Sequence, residues 1–105
     1  MEFIETVGFG KDIGNFLSHD EYMDFQSALL ENPNIGKLIP GGHGLRKLRW
    51  AIKGKGKRGG LRVIYYYVVV DDIIYLMLAY KKADREDITK TQLKMLIDYL
   101  KTEGL

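Results

Sequence analysis

The apolar side chains in the first third of the chain recur at spacings typical of a strand followed by two helices. Glu2 to Thr6 is short and alternating, which predicts an edge strand. Phe9 to Leu17 carries apolar residues three or four positions apart, which predicts a helix. Ser18 and Glu21 form a capping-box pattern and Asn32-Pro33 is a stop signal, so a second helix is expected between them. Its expected buried residues are Tyr22, Phe25, Leu29 and Leu30.

Three segments in the second half of the chain have the composition of strands. Leu45 to Ile52 alternates, which places Lys47 and Arg49 on the face opposite its apolar side chains. Leu61 to Val70 and Ile73 to Tyr80 are rich in β-branched and aromatic residues. Such near-continuous apolar runs are typical of central strands that are covered on both faces.

The remaining segments connect these strands or follow them. Residues 35–44 contain Pro40 and several glycines and are expected to form a loop, and Asp71-Asp72 is a tight turn. Thr89 and Gln92 form a second capping box that opens a C-terminal helix. The apolar stripe of that helix comprises Leu93, Leu96, Ile97 and Leu100.

The predicted order β-α-α-β-β-β-α indicates an α+β fold. We expect one domain over residues 1–105, with a small, mostly antiparallel twisted sheet. Two or three helices would pack on one face of this sheet and leave the other face free to bind a ligand. The composition, with 46% apolar and 29% charged residues, is that of a globular protein.

Positive charge is concentrated in the middle third of the chain. The whole sequence has 16 basic and 14 acidic residues, so its net charge is only +2. Nine of the bases lie between Gly36 and Val70, a segment without a single Asp or Glu. Such asymmetry predicts an anionic partner on one side of the molecule, and RNA is the partner we expect. The nine bases are Lys37, Arg46, Lys47, Arg49, Lys53, Lys55, Lys57, Arg58 and Arg62.

The residues that are missing exclude several classes of site. Without cysteine there is no disulfide scaffold, cysteine nucleophile or Cys-based zinc site. His19 and His43 have no ligand-spaced partners, so no metal site and no cofactor are expected. The acidic N-terminal segment does not resemble a signal peptide, and no apolar run reaches the length of a membrane span. These features predict a cytoplasmic protein that does not bind membranes.

Clustered basic residues can support RNA cleavage without a metal. The 2′-hydroxyl of the substrate attacks the adjacent phosphorus. The enzyme must orient this hydroxyl in line, remove its proton, stabilise the extra negative charge and protonate the leaving oxygen. Lys47, Arg49 and Arg62, together with Lys81 or Lys82, are positioned by the predicted strands to converge on one phosphate. The alternative is that these bases only hold RNA.

Two stretches of the sequence resemble the RelE/HigB superfamily of bacterial toxins, and the HigB branch in particular. The first, Gly44 to Tyr67, contains LRKLRW, GKGKRGG and LRVIYYY, and the second is LMLAYKKADREDIT. The resemblance implies the RelE-like fold and a toxin of a type II toxin–antitoxin system. The implied activity is that of an mRNA interferase, an endoribonuclease that cuts messenger RNA on the ribosome.

The resemblance also implies partners and site residues. The partners are the ribosome, messenger RNA and a HigA-like antitoxin, and operator DNA is contacted only through that antitoxin. Many relatives place a Tyr or His near the last strand or helix for acid–base work. Here Tyr80 is either the substitute for that residue or a buried core tyrosine, which leaves the general base unassigned. The implied catalytic residues are Lys47, Arg49, Arg62 and Lys82, and the expected RNA-binding residues are Arg46, Lys53, Lys55, Lys57, Arg58 and Lys81.

Two other functions fit the same residues. A gyrase-poisoning toxin of the ParE type shares the fold, although those relatives tend to lose the basic cluster on the strands. A non-catalytic RNA-binding or ribosome-binding domain would need the bases but no acid–base group. The retained Lys47, Arg49 and Arg62 favour the ribonuclease.

Overall fold

The computed structural model describes residues 1–52 and 60–105, which form three helices and five strands. The fold is α+β, as predicted, and its strands form one open mixed sheet. The strands are β1 (Glu2–Glu5), β2 (Lys37–Leu38), β3 (Arg46–Trp50), β4 (Leu61–Val68) and β5 (Ile73–Lys81), and the helices are α1 (Val7–Phe16), α2 (His19–Glu31) and α3 (Lys90–Thr102).

Each helix begins at a hydroxyl side chain that caps free backbone amides. Thr6 caps α1 by accepting from the Phe9 amide. Ser18 and Glu21 form the predicted capping box at α2, and Thr89 and Gln92 form the one at α3. These caps satisfy amides that have no partner within the helix, so the helix starts are fixed by local sequence.

The sheet has the strand order β1-β5-β4-β3-β2. Strand β1 runs parallel to β5, and the other neighbours are antiparallel. The two-residue strand β2 lies in the segment that was expected to be a loop, where Lys37 pairs with Lys47 and Leu38 with Arg46. The chain reverses direction between β2 and β3 in a turn that has left-handed backbone conformations at Gly41, His43 and Gly44.

Helices cover both faces of the sheet, so the expectation that the second face is free to bind a ligand was wrong, although two helices do share one face. Helices α1 and α2 pack through Phe9, Ile13 and Phe25 on the face that carries Val63 and Tyr65. Helix α3 packs through Leu100 on the opposite face, against a cluster that contains Ile64. The physical reason is that β4 and β5 are apolar on both sides, and each side must be removed from water.

Two helices, α2 and α3, bury less of their apolar surface than their sequence pattern suggested. Leu30 is 51% exposed, although its spacing placed it on the buried side of α2. Within α3 only Leu100 is fully buried, while the other three residues of the predicted stripe are half-buried. Both helices therefore contact the sheet along a narrower stripe than the apolar pattern suggested. Among the residues that are described, no helix is long and apolar enough to cross a membrane.

Tyr65 connects the start of the β2 segment to the centre of the sheet. Its side chain is fully buried, and its hydroxyl accepts a hydrogen bond from the Gly36 amide (2.9 Å) and donates one to the Pro33 carbonyl (2.8 Å). A Cβ atom at Gly36 would lie 2.8 Å from the Tyr65 ring, so only glycine fits this approach. Burial raises the pKa of Tyr65, which keeps the hydroxyl protonated and able to donate.

We expect Tyr65→Phe to lower the free energy of unfolding by about 1–3 kcal/mol, because a buried amide and carbonyl lose their partner. Urea denaturation followed by circular dichroism measures this change. Tyr67→Phe is the matched control, because its hydroxyl makes only a long, exposed contact with Asp72 (3.5 Å). Equal stability of the two variants would contradict the structural role of the Tyr65 hydroxyl.

Candidate active site

Two arginines and a tyrosine form a row across three neighbouring strands. Arg49 of β3 pairs with Arg62 of β4, and Arg62 pairs with Tyr80 of β5. Directly paired residues project from the same face of a sheet, and Tyr80 belongs to the cluster under α3. The row therefore lies on the α3 face, at the end of the sheet where β3 ends and β4 begins.

Arg62 is the one charged side chain that is buried among the described residues, with 6% of its surface exposed. Burial of a charge is costly unless an opposite charge or hydrogen bonds compensate. The hydrogen bond assigned to its guanidinium is a long one, to the Leu61 carbonyl (3.4 Å). The ion pairs within the described residues, Met1–Asp72 and Lys47–Asp87, involve neither Arg62 nor Arg49. These two guanidinium groups are thus available to an external anion.

A cavity of about 370 Å³ opens beside these arginines. Arg49, Arg62 and Lys82 supply its positive charge, and Trp50, Ala51 and Gly60 complete its wall. The Lys82 amide donates to the Gly60 carbonyl (3.2 Å), which fixes the residue after β5 beside the start of β4. Three cations around one opening make this cavity suited to a phosphate group.

Asp87 connects the next two candidate groups. Its Oδ1 atom lies 3.2 Å from the Lys47 Nζ atom and accepts a longer hydrogen bond from the Tyr80 hydroxyl (3.4 Å). Partial burial pushes the pKa of Asp87 upward, but hydrogen bonds from the Ile88 amide and Lys47 outweigh it, so the net pKa lies below its usual value. Asp87 is therefore ionised at neutral pH and holds Lys47 near the row of arginines.

The Tyr80 ring is 3% exposed and is covered by the Arg85 guanidinium, whose carbon lies 5.3 Å from the ring centre. Burial is the largest cause that raises the pKa of Tyr80, and the Asp87 carboxylate adds to it. Arg62 and Arg85 act in the opposite direction, but the pKa remains above the usual value. The hydroxyl is therefore protonated at neutral pH and can donate a proton.

The structure places the predicted site residues in two groups. Lys47, Arg49, Arg62 and Lys82 lie together at one end of the α3 face. Lys81 pairs with Leu61 of the other core, and its Nζ atom lies 5.6 Å from the Phe16 ring centre. The opposite orientations of Lys81 and Lys82 leave Lys82 as the lysine on the phosphate cavity.

Arg46 also lies away from this site. It pairs with Tyr65 on the α1 and α2 face, and its guanidinium donates to the carbonyls of Gly36 (2.7 Å) and Asn34 (3.3 Å). It thus holds the segment before β2, although it was expected to contact RNA. The remaining expected RNA-binding residues, Lys53, Lys55, Lys57 and Arg58, lie outside the described residues.

Sequence reasoning missed Asp87 and Arg85. Both residues lie in the stretch LMLAYKKADREDIT, of which the sequence singled out only Tyr80, Lys81 and Lys82. One signal could have identified them. Strand β5 returns the chain to the end of the sheet where the basic strand residues lie, so the acidic residues that follow β5 are close to them. Within the described residues, no group of three or more acidic or histidine side chains is placed to hold a metal ion.

We expect Asp87→Asn to lower the pKa of Tyr80, because both the charge of Asp87 and its hydrogen bond raise it. NMR titration of protein with ¹³C-labelled tyrosine resolves this hydroxyl from the other six. Glu86→Gln is the control. Glu86 is the exposed residue that precedes Asp87, and its charge is not among the groups that shift the pKa of Tyr80. An unchanged Tyr80 titration in the Asp87 variant would show that the two groups do not interact in solution.

A family model described as the RelE toxin of the RelE/RelB toxin–antitoxin system matches residues 36–102. The match covers more than half of the chain and runs from the residue before β2 to the last residue of α3. It includes the arginine row, both lysines of the α3 face and the Asp87–Tyr80 contact.

Proposed function

This chain belongs to the RelE family of toxins from toxin–antitoxin systems, and we propose that it is an endoribonuclease that cuts messenger RNA on the ribosome. The observation that carries the proposal is the row of Arg49 and Arg62 beside Lys82, in which a buried guanidinium has no carboxylate partner among the described residues. A buried cation of this kind is stabilised when a phosphate group binds.

In the proposed reaction the substrate supplies its own nucleophile. The 2′-hydroxyl of one nucleotide attacks the adjacent phosphorus and releases its proton to solvent water, and the bond from phosphorus to the 5′-oxygen of the next nucleotide breaks. The products are a 2′,3′-cyclic phosphate and a 5′-hydroxyl. Arg49, Arg62 and Lys82 hold the non-bridging oxygens and stabilise the additional negative charge of the transition state.

Tyr80 is the proposed proton donor to the leaving 5′-oxygen. Its raised pKa keeps the proton on the hydroxyl until negative charge develops on the oxygen that leaves. Asp87 and Arg85 act as positioning residues, because one contacts the hydroxyl and the other covers the ring. Lys47, which Asp87 holds near the arginine row, is the proposed fourth basic residue of the site.

The partners follow from the family and from the charge distribution. A toxin of this family is paired with an antitoxin that neutralises it. We propose that this antitoxin is HigA-like and that operator DNA is contacted only through it. The nine bases between Gly36 and Val70 support binding to messenger and ribosomal RNA in the cytoplasm.

We expect Arg62→Ala to reduce cleavage of translated messenger RNA at least 100-fold, as loss of one donor to a developing oxyanion does in other enzymes. Growth inhibition should disappear with it. Primer extension on messenger RNA translated in a purified system measures the cuts, and omission of ribosomes tests whether they are required. Circular dichroism verifies that the variant is folded.

Lys101→Ala is the matched control, because this exposed base lies in the last turn of α3 and should leave the cuts unchanged. A folded Arg62 variant that still arrests growth would contradict the assignment of the site. Double-strand breaks in DNA with intact messenger RNA would instead support the gyrase-directed alternative. Binding to ribosomes without any cuts would support the non-catalytic one.

The Lys53–Arg58 segment is expected to contribute to ribosome binding through its charge. Neutralising Lys53, Lys55, Lys57 and Arg58 should weaken association with the ribosome. The slope of the logarithm of the binding constant against the logarithm of the salt concentration should become shallower by about 0.7–0.9 for each phosphate contact that is lost. Binding to ribosomes across a series of potassium concentrations measures this slope. A variant that loses four bases elsewhere, Lys11, Lys90, Lys94 and Lys101, controls for net charge, and an equal effect of both variants would contradict a local role.

A further inference from the structure

A second cavity, of about 410 Å³, lies on the α3 face next to the phosphate cavity, and Arg49 lines both. The register places it at the outer edge of the sheet, because Lys37 of β2 pairs with Lys47 of β3, which projects from the α3 face. The two cavities are therefore successive openings along one surface.

The wall of the second cavity combines an apolar part with a charged rim. Ile35, Ile39 and Pro40 supply apolar surface, and 43% of Ile35 is exposed. Lys37, Lys47 and Asp87 surround this surface with two positive charges and one carboxylate. A nucleobase has the matching chemistry, because its faces are apolar and its edge carries hydrogen-bond donors and acceptors.

We propose that this cavity holds the nucleobase of a nucleotide that flanks the bound phosphate. The proposal rests on the proposed function, because the base is brought to the cavity by its covalent connection to the phosphate beside Arg49. Ile35 and Ile39 pack against the face of the base. Asp87 accepts a hydrogen bond from an exocyclic amino group, so adenine, cytosine and guanine are favoured over uracil.

The charge of the cavity favours a nucleic acid over an apolar protein segment. Lysines lie on two adjacent strands at its rim, and Arg49 lines both openings, where it can contact the backbone of a bound RNA. Lys47 is paired with Asp87, but the described residues supply no carboxylate to Lys37. An apolar side chain of a protein partner would cover Lys37 without neutralising it, at a cost in desolvation. A nucleotide carries the negative charge that Lys37 requires.

The test is an NMR titration of the full chain with a 2′-O-methyl adenine dinucleotide, which binds but cannot cleave itself. Two analogues, each lacking one of the two bases, serve as comparisons. We expect loss of one particular base to weaken binding about fivefold or more, the low end of what stacking of one base contributes. Ile35→Ser should remove most of that difference.

Leu30→Ser is the matched control, because Leu30 is a similarly exposed aliphatic residue on α2, on the other side of the sheet, and should retain the full difference. Equal affinity for all three ligands, or a base-dependent difference that survives Ile35→Ser, would overturn the nucleobase site. Loss of neutralisation by the antitoxin in Ile35→Ser, with the base-dependent difference intact, would assign the cavity to protein docking instead.

The Arg62→Ala variant separates this proposal from the proposed function. If the three ligands bind equally well but all lose affinity in Arg62→Ala, the nucleobase site is wrong and the phosphate site stands. If none of the ligands depends on Arg62, the phosphate site itself is wrong, and the nucleobase site that depends on it falls as well.

Discussion

The register between β3, β4 and β5 is the constraint on which the site depends. It sets Arg49 beside Arg62 and Arg62 beside Tyr80 on a single face of the sheet. A shift by one residue in any of these strands would turn its side chains to the opposite face. The register is held by the two apolar cores, because Val63 and Tyr65 must lie under α1 and α2 while Ile64 lies under α3. Packing on both faces thus aligns the residues that carry the charge.

The same strands break the usual rule that buried positions are apolar. Arg62 occupies a buried position between core residues, and the residue that pairs with it on β3, Arg49, is another cation. Two adjacent positive charges destabilise the folded protein, and local departures of this kind are concentrated at functional sites. Under the proposed function a bound phosphate would relieve this destabilisation, because its charge neutralises both arginines.

Asp87 is the acidic counterpart within this basic surface. Asp87 follows β5 and contacts Lys47 of β3 and Tyr80 of β5. Strand β4 separates β3 from β5, so these contacts connect strands that are not neighbours. Arg85 strengthens the same connection by covering Tyr80 and donating to Gln92 of α3 (2.9 Å). The β5–α3 segment is therefore part of the site, and movement of α3 would be transmitted to Tyr80.

The sequence alone determined most of the helices and strands of this protein and the basic residues of its candidate site. The caps at Ser18 and Thr89, the alternation of β3 and the charge of the middle third are local features, because each depends on residues that are close along the chain. They were sufficient to predict the α+β fold and the Lys47, Arg49 and Arg62 cluster.

Only the tertiary structure decided which side chains meet. The apolar pattern of β4 and β5 showed that both faces are covered, but not that α3 lies opposite α1 and α2. The separation of Lys82 from Lys81, the use of Arg46 to hold the Gly36 carbonyl and the contact of Tyr80 with Asp87 all depend on strand register and on the path of the chain after β5. These are properties of packing between distant segments, which no local pattern of residues encodes.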